Sequence, residues 1–132
     1  MSPTILPKFQ NIKVLIAEDN QSNFDLLKVT LRNYTVEWAH NGLEAIQKAH
    51  TNKYSIIFMD LMMPEIDGFE ATRQIRIFDP TTPIVAITAN IYTCDENDAL
   101  QAGCTAYFSK PIRKPAILEI MEEMAKPIDT HP

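Results

Sequence analysis

Two cysteines, Cys94 and Cys104, are all the thiol chemistry this chain has. They are too far apart for a CxxC pair and have no matching His/Cys set, so a zinc site is not expected. A disulfide scaffold in so short a chain would carry more of them. Both are expected to be reduced thiols with packing roles in a cytosolic setting. Basic charge is scarce as well: 12 Lys and Arg face 17 Asp and Glu, a net charge of −5. That balance argues against a nucleic-acid-binding surface, which needs a basic face to meet phosphates. It leaves room for a local site that takes a small phosphorylated group. Long apolar runs are missing too. No stretch approaches the ~20 residues of a membrane span, and Pro3, Pro7 and Asn11 interrupt the start before a signal-peptide core could form. The expectation is a soluble cytoplasmic domain, whether or not a parent protein is membrane-anchored.

What is present suits one domain. The 132 residues are 45% hydrophobic and 22% charged, within the range of roughly 100–200 residues for a single globular unit. Residues 1–11, with two prolines, form a leader or linker, 12–126 the folded domain, and 127–132 (PIDTHP) a tail. Inside the domain, short β-rich runs alternate with helical patterns. The strands are expected at Lys13–Glu18, Thr35–Ala39, Tyr54–Met59, Pro83–Ile87 and Ala106–Ser109. A capping box of Ser22 and Asp25 opens the first helix, along which Phe24, Leu27 and Leu31 recur. Asn41-Gly42 turns into a helix with Leu43, Ile46 and Ala49 on one face. Phe69, Thr72 and Ile75 begin a third, Asp95–Ala102 makes a fourth ended by Gly103, and Ile117, Ile120, Met121 and Met124 line a fifth. Such alternation predicts an α/β fold: a parallel sheet covered on both faces by right-handed crossover helices. The apolar first, third and fourth strands belong in its centre and the polar-alternating second near an edge.

In open parallel sheets, ligands bind beyond the carboxyl ends of the strands. Glu18 and Asp19 follow the first strand, Asp60 the third, Thr88 the fourth and Lys110-Pro111 the fifth. Singly each has a plainer explanation, as turn former, strand residue or solvated lysine. Jointly they are harder to dismiss. Adjacent carboxylates at the end of an apolar strand repel unless something offsets their charge, and hard oxygen ligands completed by water suit Mg²⁺ better than zinc or copper. With a cation present, a carboxylate can attack phosphorus and form an acyl phosphate, while an ammonium and a hydroxyl stabilise the phosphoryl oxygens.

The stretches VLIAEDN, MDLMMPEIDGFEATRQIR, AITAN and AGCTAYFSKPI resemble the receiver domains of two-component signalling, above all those of hybrid histidine kinases. The resemblance runs from about Ile12 to Met124. It implies a doubly wound, flavodoxin-like (βα)5 sheet of order 2-1-3-4-5. It further implies that Asp60 is the phosphoacceptor, and that Asp19, Asp60 and the backbone carbonyl of Met62 ligate Mg²⁺, with Glu18 acting through water. Lys110 would pair with the phosphoryl group, and Thr88 and Tyr107 would form a coupled switch. Lys110-Pro111 resembles the family's cis peptide. Met62 and Asn90 stand where the family tunes phosphoryl lifetime. The implied partner is a histidine kinase or a histidine phosphotransfer protein, with neither nucleic acid nor membrane contacted directly. Homodimerisation through the fourth helix, fifth strand and fifth helix is a further contact of this kind. The resemblance implies no enzyme in the usual sense, only a domain that catalyses its own phosphorylation and dephosphorylation.

Two other classes fit less well. A phosphatase of the haloacid dehalogenase type places a second Asp two residues after its nucleophile, whereas Asp60 is followed by Leu61 and Met62. A nucleotide-binding flavodoxin-like protein needs a phosphate-cradling loop after the first strand, where Glu18-Asp19 would repel phosphate. A receiver reduced to a binding module would not need all five site residues. His40, His50 and His131 fit no motif and are expected at the surface or in packing, and Met59, Met62 and Met63 are not expected to bind metal.

Overall fold

A computed structural model describes residues 11–90, 92 and 95–128. The leader through Gln10, Cys94, His131 and the end of the tail lie outside these residues, and so do the expectations for them. Ten elements alternate: β1 (Lys13–Ala17), α1 (Gln21–Thr30), β2 (Thr35–Ala39), α2 (Gly42–Thr51), β3 (Ile56–Asp60), α3 (Gly68–Phe78), β4 (Ile84–Thr88), α4 (Glu96–Ala102), β5 (Ala106–Ser109) and α5 (Lys114–Met124). The five strands form one parallel sheet in the order β2-β1-β3-β4-β5. Every residue of β3 and β4 is buried, while β2, with its polar alternation, lies at the edge. No helix among the described residues is long and apolar enough to cross a membrane.

Period-two alternation divides each central strand between two cores. Val14, Ile16, Ile56, Phe58, Val85 and Ile87 point to the side covered by α1 and α5, where Phe24, Leu27, Leu31, Ile117, Ile120 and Met121 meet them. Leu15, Ala17, Ile57, Met59 and Ala86 point to the other side, against Ala45, Ala49, Ala71, Ile75 and Ala99 of α2, α3 and α4. Cys104 is buried on that side with its Sγ 3.7 Å from the Thr72 hydroxyl, a packing role.

Three local expectations need correction. The cap of α1 is Asn20, not Ser22: Asn20 has extended dihedrals and its side chain accepts from the Asn23 N–H at 3.0 Å. The loop after β1 is so short that Ser22 already lies inside the first turn. On α2 the buried face is Gly42, Ala45 and Ala49, with Ile46 partly buried, and Leu43 is 49% exposed. Leu43 follows Gly42 by one residue, about 100° round the helix, and the small residues are the ones that let α2 approach the sheet. Strand bounds also shift: β1 ends at Ala17, β3 runs Ile56–Asp60 and β4 runs Ile84–Thr88. Pro83 has no N–H for the ladder, so β4 starts one residue later, although the Pro83 carbonyl still accepts from Ile57 N–H at 2.9 Å.

The junction of β3 and α3 matters most for what the sheet presents at its carboxyl edge. Leu61 is fully buried, its N–H donating to the Ile87 carbonyl at 2.9 Å, and its own carbonyl accepts from Gly68 N–H at 3.2 Å. Asp67 caps α3 by accepting from Glu70 N–H at 2.9 Å. A Cβ at Gly68 would stand 2.3 Å from the Asp60 carbonyl oxygen and 2.7 Å from Leu61 Cα. Both are backbone atoms that cannot swing aside, so glycine is required there by space. Gly68→Ala is expected to destabilise the domain by about 1–3 kcal/mol, the usual cost of overpacking. Urea unfolding of the variant checks this, and an unchanged midpoint would mean that α3 can slide off the Asp60 backbone.

Candidate functional site

The short loops after β1, β3 and β5 carry charge to one rim. Glu18 follows β1 directly, and its N–H still donates to the Ala39 carbonyl of β2 at 3.0 Å. Asp60 is the last residue of β3, paired with Ile87 in register. Lys110 follows β5, with its N–H donating to the Thr88 carbonyl at 2.7 Å and its peptide to Pro111 cis. The two carboxylates are almost fully buried, Glu18 at 1% and Asp60 at 3% exposure. Both accept from the Lys110 ammonium: Nζ lies 2.7 Å from Glu18 Oε2 and 3.0 Å from Asp60 Oδ2. The remaining oxygens accept from backbone: Glu18 Oε1 from Asn20 N–H at 3.2 Å, and Asp60 Oδ1 from Met62 N–H at 2.9 Å.

Asp19 joins the pair from the solvent side. It is exposed, and one carboxylate oxygen from each of Glu18, Asp19 and Asp60 lies within 4.8 Å of the others. Three negative charges and one ammonium leave two in excess, which a divalent cation would balance. All the donors are hard oxygens, and an open face remains for water, so the trio fits Mg²⁺ and does not fit a thiolate- or imidazole-seeking metal. Burial pushes the Glu18 carboxyl above its usual value; the Lys110 hydrogen bond opposes that, and the Asp60 charge adds to it. Burial pulls Lys110 down, but the hydrogen bonds and charges of Glu18 and Asp60 outweigh it and hold the ammonium above its ordinary value.

The other expected residues fall at varying distances from this charge. Thr88 is fully buried at the end of β4, next to Ser109 in register, and its Oγ1 accepts from Asn90 N–H at 3.1 Å. Tyr107 is half-buried, stands opposite Ala86 in register and packs on the core that β4 shares with α4. Met62 is 51% exposed at the rim, whereas Met59 and Met63 are core residues. His40 and His50 make ring contacts with Trp38 and Phe78. Two site neighbours escaped the sequence reading. Asn20 gives Glu18 its second donor. Trp38 donates from Nε1 to the Glu18 carbonyl at 2.7 Å; its one sequence signal was a large aromatic in a half-polar edge strand.

Lys110 is the only cation bonded to the buried carboxylates among the described residues, so its removal leaves two of them facing each other. Lys110→Met is expected to destabilise the metal-free domain by about 3 kcal/mol at pH 8, the scale for breaking a buried pair. Glu18 already titrates above its usual value, so the folded state takes up a proton more readily than the unfolded one, and stability is lost as pH rises through the folded pKa. The deficit of the variant should therefore shrink at pH 5. Denaturant unfolding in EDTA at both pH values is the check, and a pH-independent deficit would contradict it.

Known proteins resemble this chain in sequence and in fold. The response regulator receiver domain family matches residues 14–122. Hybrid signal transduction histidine kinase G of Dictyostelium discoideum is 40% identical over 111 residues, which cover 79% of this chain and 3% of the kinase. The polar-differentiation response regulator DivK of Brucella anthropi is 35% identical over 113 residues, covering 83% of this chain and 92% of that protein. The chain thus spans a small part of the kinase and nearly all of the regulator. Among solved structures, the receiver domain of a Pseudomonas aeruginosa sensor histidine kinase is 33% identical with a TM-score of 0.80, covering 86% of this chain and 97% of that one. It holds a magnesium ion in its active-site cleft. A Saccharomyces cerevisiae response regulator receiver domain, co-crystallised with a histidine phosphotransfer protein, is 34% identical with a TM-score of 0.80, covering 89% of this chain and 90% of that one. The family match takes in all of the sheet but Lys13 and all of α5 but its last two residues: the chain belongs to the response regulator receiver domain family.

Proposed function

We propose that the domain accepts a phosphoryl group on Asp60 from a phosphohistidine, with Mg²⁺ bound by Asp19, Asp60 and the Met62 carbonyl and with Glu18 acting through water. The observation that carries this reading is the buried Asp60 carboxylate held between the Lys110 ammonium and the Met62 N–H, with two further carboxylates alongside. The magnesium in the Pseudomonas relative's cleft and the phosphotransfer protein bound to the yeast receiver support the cofactor and the class of donor.

A receiver needs positioning and charge neutralisation more than covalent help, because phosphoryl transfer has a loose transition state. Asp60 forms the new O–P bond while the P–N bond of the donor histidine breaks and its electron pair returns to the imidazole. Lys110 then has a phosphoryl oxygen to meet in place of the free carboxylate. Met62 N–H, already on Oδ1, keeps the carboxyl from rotating. Bound Mg²⁺ would neutralise the phosphoryl oxygens as charge gathers there. The domain thereby serves as a signalling module that catalyses only its own phosphorylation and dephosphorylation. A chain that spans 3% of one relative and 92% of another is compatible with either a hybrid kinase or a stand-alone regulator as its setting.

Signal output rests on the β4–α4–β5 side. Thr88 shares its side of the sheet with Ala86, and Tyr107 packs beside Ala86 on that same core. A Thr88 hydroxyl drawn toward a phosphoryl oxygen would let go of Asn90 N–H and vacate space that the Tyr107 ring could turn to fill. The phosphorylated state then makes contacts that differ between two arrangements, which is what a population shift requires.

Two measurements test this. With a small phosphodonor and Mg²⁺, intact mass should rise by one acid-labile phosphoryl group in the wild type and remain unchanged in Asp60→Asn; labelling of the variant at the wild-type rate would overturn the assignment. Thr88→Ala should still be labelled, yet amide shifts across residues 88–124 on adding beryllofluoride should fall well below those of the wild type. Equal responses in the two proteins would remove Thr88 from the output route while leaving Asp60 as acceptor.

A further inference from the structure

Trp38 is the chain's single tryptophan, and it stands on the edge strand rather than in the middle of the sheet. Its ring lies flat on Phe24 of α1, with centroids 4.2 Å apart and planes within 6°, and meets the His40 ring in a tilted contact at 3.9 Å and 32°. Lys28 Nζ sits 6.0 Å from the Phe24 centroid, and His40 Nδ1 lies 2.9 Å from Glu44 Oε1, so the neighbours of the stack are themselves tied down. Stacking of this kind fixes the plane of the indole and hence the direction of its N–H.

That N–H donates to the Glu18 carbonyl at 2.7 Å, across 20 residues of sequence. The Glu18 N–H donates to the Ala39 carbonyl at 3.0 Å. Strand β2 therefore holds the backbone of Glu18 on both sides. The Glu18 carbonyl lies in the peptide plane that joins Glu18 to Asp19, so its direction sets how the two carboxylates are aimed relative to each other. Beyond Ala17 the β1–β2 ladder has ended, and without a donor this carbonyl would be free to turn with the loop.

On the reading of Glu18, Asp19 and Asp60 as a cation site, we infer that Trp38 is a positioning residue for that cation. Its indole N–H holds the Glu18–Asp19 peptide plane in the orientation that points both carboxylates at the ion. Phe24 and His40 keep the ring in place. The edge strand thus contributes to the site without sending a side chain into it. Binding of the cation and closure of the indole hydrogen bond must favour each other by the same factor, because linkage is reciprocal.

The test uses the whole chain and Mg²⁺ alone, with no phosphodonor, and reads affinity from the Asp19 and Asn20 amide shifts. Trp38→Phe keeps a stacking ring and loses the donor. It is expected to weaken Mg²⁺ binding by about fivefold to tenfold, the scale of one ordinary hydrogen bond, and to lower its unfolding midpoint in EDTA modestly, since the same bond is present without the ion. His40→Ala thins the stack but keeps the donor, and its affinity should stay within about twofold of wild type, as expected of a contact that leaves the hydrogen bond in place. In the wild type, exchange of the indole proton with solvent should slow when Mg²⁺ is added. Wild-type affinity in Trp38→Phe, equal weakening in the two variants, or indole exchange indifferent to saturating Mg²⁺ would each overturn the inference. The last readout needs no variant to fold. Asp19→Ala separates the two levels: if it binds Mg²⁺ as the wild type does, the cation site itself is wrong and the role of Trp38 falls with it. If binding is lost there but untouched in Trp38→Phe, only the role of Trp38 falls.

Discussion

Placing two carboxylates at the mouth of an apolar sheet is the constraint around which the rest of the molecule is arranged. Charges on Glu18 and Asp60 oxygens no more than 4.8 Å apart repel by at least about 3.5 kcal/mol at an effective dielectric of ~20, a sizeable share of a small domain's total stability. Lys110 offsets this by bonding to both, at 2.7 and 3.0 Å. The ammonium is itself only partly exposed and is held charged by the same pair. The three groups are therefore mutually dependent, and the resting site is balanced without being neutral. Asp19 tips it toward excess negative charge, and so toward a cation.

Such a balance is useful only if the groups do not wander. Each is fixed by backbone as much as by its charged partner. Asp60 belongs to a fully buried strand, with Gly68 admitting the start of α3 against its carbonyl. Glu18 is gripped by β2 through Ala39 and Trp38. Lys110 is anchored to the Thr88 carbonyl by its own N–H. That last bond ties the charged site to β4, whose Thr88 hydroxyl accepts from Asn90 N–H and whose neighbour Tyr107 packs on the core shared with α4.

Part of this was legible one residue at a time. Apolar runs such as IIFMD and IVAIT admit few readings other than buried strands, and the polar alternation of TVEWA put β2 at an edge before any pairing was known. Errors arose where a local pattern had two solutions. Ser22 and Asn20 could each cap α1, and the choice depended on how short the loop from β1 is. Leu43 or Ala45 could each face the sheet from α2, and close approach of the helix favoured the smaller residue.

By itself the sequence determined the alternation of strands and helices, and the positions of Glu18, Asp19, Asp60, Thr88 and Lys110 at or just beyond strand ends, because strand period and turn chemistry are properties of neighbouring residues. The order 2-1-3-4-5 came from family resemblance and not from any local pattern. Only the tertiary structure decided that Lys110 reaches Glu18 across 92 residues and Asp60 across 50. Only it brought the Trp38 indole to the Glu18 carbonyl. Contacts of that kind are set by which strands lie side by side and by how far each helix stands off the sheet, and no periodicity along the chain carries that distance.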